Sequence, residues 1–91
     1  MIRGCTWEYH ERGGWKAMPA DINRYLEEQY LLGSPTPQQF IDPPYDFKKY
    51  VWNFPEYLQY REHYKDGQWV TVKTRSIRRI RVLDAPERPR G

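Results

Sequence analysis

The chain has 91 residues, with 15 Lys and Arg against 12 Asp and Glu for a formal net charge of +3. That length supports one domain with a core of only a few large side chains, and leaves no room within it for a second module. Hydrophobic residues at 38% and aromatics at 16% make it globular, the single Cys5 excludes an internal disulfide, and no apolar run has the length of a membrane span or signal-peptide core. A reducing, soluble setting, nuclear or cytoplasmic, is the expectation, with a monomer as the default state.

Residues 1–4 read as a flexible terminus. Cys5 to Glu11 mixes β-branched and aromatic residues and runs into Arg12-Gly13-Gly14 before Trp15 resumes an apolar pattern, which predicts a β-hairpin. Pro19 opens a segment in which Ile22, Tyr25, Leu26 and Tyr30 follow helical spacing. Asp21 suits the first turn and Gly33 the end, so one amphipathic helix is predicted over Ala20 to Leu32. The turn-rich Ser34-Pro35-Thr36-Pro37 leads to a short strand over Gln38 to Ile41, then to a break at Asp42-Pro43-Pro44. Phe47 to Asn53 and Glu56 to Tyr64 read as strands flanking Phe54-Pro55. Lys65-Asp66-Gly67 is a hairpin turn before Trp69 to Val72, and a last strand continues through Ile77, Ile80 and Val82. Residues 84–91, rich in Pro, Arg and Gly, read as a flexible terminus or linker, so the domain is expected over 5–83. About six strands and one helix give an α+β class in which the sheet curls around the helix.

The positive charge is concentrated late in the chain: Lys73, Arg75, Arg78, Arg79 and Arg81 occur with no acid among them, while the helical stretch carries Asp21, Glu27 and Glu28. A basic strand of this kind is commonly a solvated face, and otherwise favours an anionic partner. His10, His63 and Cys5 lack the paired spacing of a structural zinc site, so no metal is expected. Nor is there a pair of carboxylates at a recognisable spacing, a nucleophile in a known setting, or a Gly-rich phosphate loop, since Arg12-Gly13-Gly14 is a hairpin turn. A binding module without cofactor is expected rather than an enzyme. A domain this small needs its largest rings inside, so Trp7 and Trp15 are expected in the core. Glu27 is expected to bond backbone or a tryptophan indole.

Trp7-Glu8-Tyr9, then Arg12-Gly13-Gly14-Trp15, then Leu26-Glu27 and Tyr30 in the helix resemble the WWE family, with Trp7, Trp15 and Glu27 as the signature residues. The resemblance continues through Tyr50-Val51-Trp52-Asn53-Phe54 and Tyr57-Leu58-Gln59-Tyr60 to a Gly turn and a basic strand. It implies a half-barrel antiparallel sheet on one helix, found in ubiquitin ligases and ADP-ribosyltransferases, that binds iso-ADP-ribose or terminal ADP-ribose units of poly(ADP-ribose). Carried over, it places Tyr9 and Tyr50 in an aromatic pocket wall, Gln59 on the ligand edge and Arg12 near the phosphates. An aromatic face stacks on adenine, a glutamine offers donor and acceptor, and arginine matches a pyrophosphate. Trp52 shares strand parity with Tyr50 and would add a stacking surface.

The chain departs from the pattern where ligand-binding relatives usually carry an arginine, about three residues after the Gly turn; Val70 stands there, and Trp69 or Thr71 in a neighbouring register. Lys73 or Arg75 would compensate, or Arg12 with the Arg78 to Arg81 run would meet the phosphates. Lys16 stands where an aromatic is common. Three readings follow: a reader of poly(ADP-ribose) or ADP-ribosylated proteins, a protein-interaction domain whose pocket has degenerated, and a single-stranded nucleic acid binder using the basic C-terminal strand.

Overall fold

Backbone geometry at two turns sets the strand pairing. In the computed structural model, which describes residues 2–41 and 47–83, Asp66 (φ 49°) and Gly67 (φ 80°) link the paired Lys65 and Gln68. Positive φ at both central residues gives the two-residue hairpin turn whose twist matches its strands. It joins β5 (Leu58–Lys65) to β6 (Gln68–Leu83). Near the start of the chain, Arg12 and Gly13 (φ 97°) connect β1 (Ile2–Glu11) to β2 (Gly14–Ala17). After the helix α1 (Ala20–Leu31) come β3 (Gln38–Phe40) and β4 (Lys48–Asn53). The six strands form one antiparallel sheet in the order β2-β1-β6-β5-β4-β3. The class is α+β as expected, with a curled sheet that stays open.

β6 is one strand of 16 residues where the sequence suggested two. Up to Ser76 it pairs with β5, and from Ile77 onward with β1. This change of partner curls the sheet, because β1 and β5 each pair with only part of the same long strand. A one-residue slip lies within the β5–β6 ladder: Glu62 pairs with Thr71 and Arg61 with Lys73, leaving Val72 without a partner. Such a bulge bends the strand and re-aims the side chains beyond it. Val72, Thr74 and Ser76 would otherwise face the helix, and the slip instead turns Lys73, Arg75 and Ile77 that way.

The helix sits on this inner face, with Leu26 buried and Ile22, Tyr25 and Tyr30 packed against the core. It ends one residue before the expected Leu32. The Gly33 N–H donates to the Tyr30 carbonyl and the Ser34 N–H to that of Gln29, with Gly33 at φ 82°: a Schellman stop, which needs the left-handed conformation glycine adopts freely. Where β2 ends, Asn23 takes over the edge of β1. Its side-chain oxygen accepts the Trp7 N–H, its amide donates to the Cys5 carbonyl, and the Met18 N–H meets the Trp7 carbonyl. At the far edge the carbonyls of Pro35 and Pro37 accept the N–H groups of Phe54 and Trp52. Proline suits an edge because only its acceptor is used there.

The starts of β1 and β5 differ from expectation. β1 reaches back to Ile2, which pairs with Leu83, so residues 2–4 extend the sheet rather than forming a flexible terminus. Glu56 and Tyr57 lie in a turn, closed by the Asn53 side chain accepting the Glu56 N–H and by Tyr57 at φ 55°, and β5 starts only at Leu58. The expected break at Asp42-Pro43-Pro44, Met1 and the tail 84–91 lie outside the described residues.

The core consists of Trp7, Met18, Leu26, Trp52, Phe54 and Ile77. Trp7 is fully buried, 4.9 Å from Phe54 and 5.5 Å edge-on from Tyr30 by ring centroids. Its indole N–H donates to Glu27 at 2.9 Å, and Arg79 grips the same carboxylate through Nε and Nη2 at 2.9 and 2.6 Å. The Arg79 guanidinium also lies over the Tyr30 ring at 4.4 Å. Trp15 does not join the core. It is paired with His10 on the opposite face to Trp7, remains 37% exposed, and packs between His10 and the Arg78 guanidinium. Strand parity explains this: Trp7 and Trp15 fall on opposite faces of the β1–β2 hairpin.

The contrast is directly measurable by urea unfolding. Trp7→Ala should cost about 4 kcal/mol, as for a fully buried large ring, and Trp15→Ala below about 1 kcal/mol, as for a surface position. Glu27 is held below the ordinary carboxyl value of 4.5, first by the Arg79 hydrogen bond and then by Trp7, against burial, which acts in the other direction. A carboxyl depressed on folding contributes stability that is fully present above pH 4.5 and is lost as pH falls through its lower folded value. Glu27→Gln should cost about 3 kcal/mol at neutral pH and flatten this part of the acid profile, as unfolding measured from neutral to acidic pH would register.

Candidate functional site

β1 stops following β6 at Tyr9, and beyond that point the inner face of the sheet opens into a cleft of about 190 Å³. Met18, Pro19 and Ile22, at the start of the helix, supply its apolar side. Tyr9 from β1 and Tyr50 from β4 line it as well, brought together by the curl although two strands separate theirs. Gln59 and Arg61 come from β5, Lys73 and Arg75 from β6, and Glu11 from the end of β1. All five lie on the inner face, since Gln59 pairs with Arg75 and Arg61 with Lys73. Three cations therefore face one carboxylate.

Gln59 is the buried polar residue of this cleft, at 8% exposure. Its Oε1 accepts the Trp52 indole N–H at 2.7 Å. An indole N–H can only donate, so this contact fixes which end of the amide is oxygen. The NH2 group is then the end left for a ligand. The glutamine that sequence alone offered as donor and acceptor thus presents a donor, and selects a partner with a lone pair. Trp52 lines the cleft but is only 1% exposed, with Tyr50 5.6 Å and Tyr25 6.0 Å away by ring centroids. It offers almost no free face for stacking, and its place is to orient Gln59 and back Tyr50.

Arg75 reaches Glu11 at 2.6 Å and lies over the Tyr9 ring at 5.5 Å. A second, shallower hollow adjoins the cleft, formed by His10, Arg12 and Thr74 together with Glu11, Lys73 and Arg75 of the shared rim. Of the residues singled out from sequence, Tyr9, Tyr50, Trp52, Gln59, Lys73 and Arg75 thus meet in one cleft, and Arg12 sits in the hollow beside it. Val70 pairs with His63 and lies outside both. Lys16 pairs with Tyr9 but lines neither. The Arg78 to Arg81 run does not converge on the cleft: Arg78 bonds Glu8 and covers Trp15 on the outer face, and Arg79 is tied to Glu27.

Sequence reading missed Arg61 and Glu11, and the signal for both was available. Each lies two residues beyond a chosen position, Arg61 after Gln59 and Glu11 after Tyr9, and so shares its face of the strand. The apolar side from Met18, Pro19 and Ile22 had no such marker, because it depends on where the helix packs. Among the described residues no three His, Cys, Asp or Glu side chains gather as metal ligands.

A family model for the WWE domain matches residues 5–79. The chain belongs to the WWE family. No curated protein and no solved structure gives a significant match. WWE domains are protein-interaction and ADP-ribose-binding modules rather than catalysts. In this WWE domain the first signature tryptophan, Trp7, and the signature glutamate, Glu27, meet in one hydrogen bond, and the second tryptophan, Trp15, braces the outer face.

The orienting role of Trp52 has its own test. Trp52→Phe keeps a ring in place but leaves Gln59 Oε1 without its donor, which should cost about 2 kcal/mol in urea unfolding. In the unsubstituted domain the Trp52 indole N–H should be among the slowest side-chain protons to exchange with solvent, as measured by NMR.

Proposed function

We propose that this WWE domain binds an ADP-ribose unit of poly(ADP-ribose), and through it brings a larger ubiquitin ligase or ADP-ribosyltransferase to ADP-ribosylated proteins in the nucleus or cytoplasm. The observation that carries the reading is the cleft: Tyr9 and Tyr50 beside a fixed Gln59 donor, under a rim with three cations. Aromatic faces favour a flat base, worth roughly 1 to 3 kcal/mol per base in related sites. A glutamine NH2 suits the ring nitrogens or carbonyl oxygens of such a base, and guanidinium groups suit phosphate. The volume of about 190 Å³ equals roughly six waters. That takes a base and part of a sugar, so the diphosphate lies over the rim and the adjoining hollow, where Arg12 stands.

The nucleic-acid reading loses ground on the charges. Arg75, Arg78 and Arg79 on the basic strand are each paired with a glutamate, Glu11, Glu8 and Glu27, so the strand presents far less free charge than its sequence suggests. The reading as a domain with a degenerate pocket draws on Glu11, a carboxylate inside a cleft meant for an anion.

Calorimetric titration with iso-ADP-ribose and separately with ADP-ribose distinguishes these readings. Saturable binding with a Kd of about 1 to 100 μM is expected, roughly 5 to 8 kcal/mol. Tyr50→Ala should weaken it, and so should Gln59→Glu, which can still accept the Trp52 N–H while replacing the amide donor with a charge. No heat up to millimolar ligand, from protein whose unfolding is cooperative, would overturn the reading and favour the interaction domain.

A further inference from the structure

Two of the three cations on the cleft rim stand in a different condition from the third. Arg75 is neutralised by Glu11 at 2.6 Å. Arg61 and Lys73 face each other directly across the β5–β6 ladder, and neither has an ion-pair partner among the described residues. Like charges directly opposite on antiparallel strands repel and destabilise the pair. The bulge at Val72 creates this pairing, since the register nearer the turn would have set Val72 opposite Arg61. Arg61 also carries a second cost: its Nε is buried without a hydrogen-bond partner. Buried donors of this kind are rare and call for a partner.

The uncompensated field is felt nearby. His63, two residues along β5 on the same face, is pushed below its ordinary value by burial and then by Arg61, Lys48 and Lys65. No carboxylate contributes to that shift. A repelling pair and a buried unpaired N–H coincide at the wall of one cleft, and a bound anion would relieve both.

We propose that the Arg61–Lys73 pair is the anion seat of this cleft, taking the diphosphate of a nucleotide-type ligand, and that Arg75, held by Glu11, lies outside the seat. The identity of the ligand rests on the function proposed above, while the seat rests on the pairing itself. It gives the domain a phosphate site on the strand that carries Val70 without using that position. Arg75 serves instead to fix Glu11 and cover the edge of Tyr9.

The test uses the full chain, labelled with nitrogen-15, and inorganic pyrophosphate as the probe, following the Nε–H signals of the arginines. The Arg61 signal should shift saturably while those of Arg75 and Arg79 hold. In parallel, Arg61→Gln and Lys73→Gln should each weaken ADP-ribose binding about tenfold, the scale of one charge-assisted hydrogen bond, and flatten its salt dependence. Arg78→Gln, on the outer face beside Glu8 and Trp15, should change affinity by less than about twofold. The two weakening variants should melt no lower than the parent, since each relieves a repulsion, whereas a merely structural arginine would lower the melting temperature when removed. A pyrophosphate response at Arg75 with none at Arg61, or an Arg61→Gln variant that binds ADP-ribose as the parent does, would overturn the assignment. Should pyrophosphate saturate Arg61 while ADP-ribose does not bind, the seat stands and the nucleotide reading falls.

Discussion

One carboxylate holds the three parts of this domain in register. Glu27, on the helix, accepts the indole N–H of Trp7 from β1 and two guanidinium N–H groups of Arg79 from β6. Without it, a fully buried indole N–H and a largely buried guanidinium would both lack partners, and each such loss is expensive in a low-dielectric interior. The hydrogen bonds to this carboxylate outweigh its desolvation, which is why its pKa is lowered, and their directions also forbid other arrangements. The helix cannot rotate or slide along the sheet without breaking three directed bonds. Its first turn is thereby fixed as well, and Pro19 and Ile22 stand where the cleft needs an apolar side.

The charge of the chain is organised by the same principle. A net charge of +3 and a basic final strand suggest a surface for polyanions, yet the acids that answer that strand come from β1 and the helix, far away in sequence. Each of Glu8, Glu11 and Glu27 meets an arginine of β6. Among the described residues, what remains unpaired on the inner face is narrow and local, which suits a small anion entering a cleft better than a long backbone lying along a strand. The outer face uses its charge differently: Arg78 over Trp15 and Lys49 over Trp69, each about 4 Å from ring centroids, shield aromatic surface.

Much of this was legible in the residues. Helical spacing from Ile22 to Tyr30 marked the helix and its buried side, Gly33 marked its stop, and Asp66-Gly67 marked the central hairpin, because each depends on local chemistry. Six of the seven residues proposed for the ligand line one cleft: strand parity fixes the face of Tyr9, Tyr50, Trp52 and Gln59, while Lys73 and Arg75 reach it only through the bulge. Trp15 was misjudged because size was allowed to outweigh parity, and the hairpin register sends it outward opposite Trp7. Asn23 gave no sign of its role, as only the end of β2 reveals that the edge of β1 needs side-chain partners there. Val72 looked like one more apolar strand residue; that it bulges is decided by pairing between strands, which no window of neighbouring residues contains.

That bulge has a consequence for how domains of this kind vary. The hairpin between β5 and β6 can keep its turn, its composition and every side chain of its cleft, and still lose its inner face if Val72 is drawn into the ladder opposite Arg61. Lys73, Arg75 and Ile77 would then turn to the outer side, exchanging a core residue and two cations for Thr74 and Ser76. The placing of that bulge is therefore as much a specification of the site as the identities of the residues in it, and a relative one residue shorter in this span would reach the same inner face through a regular ladder.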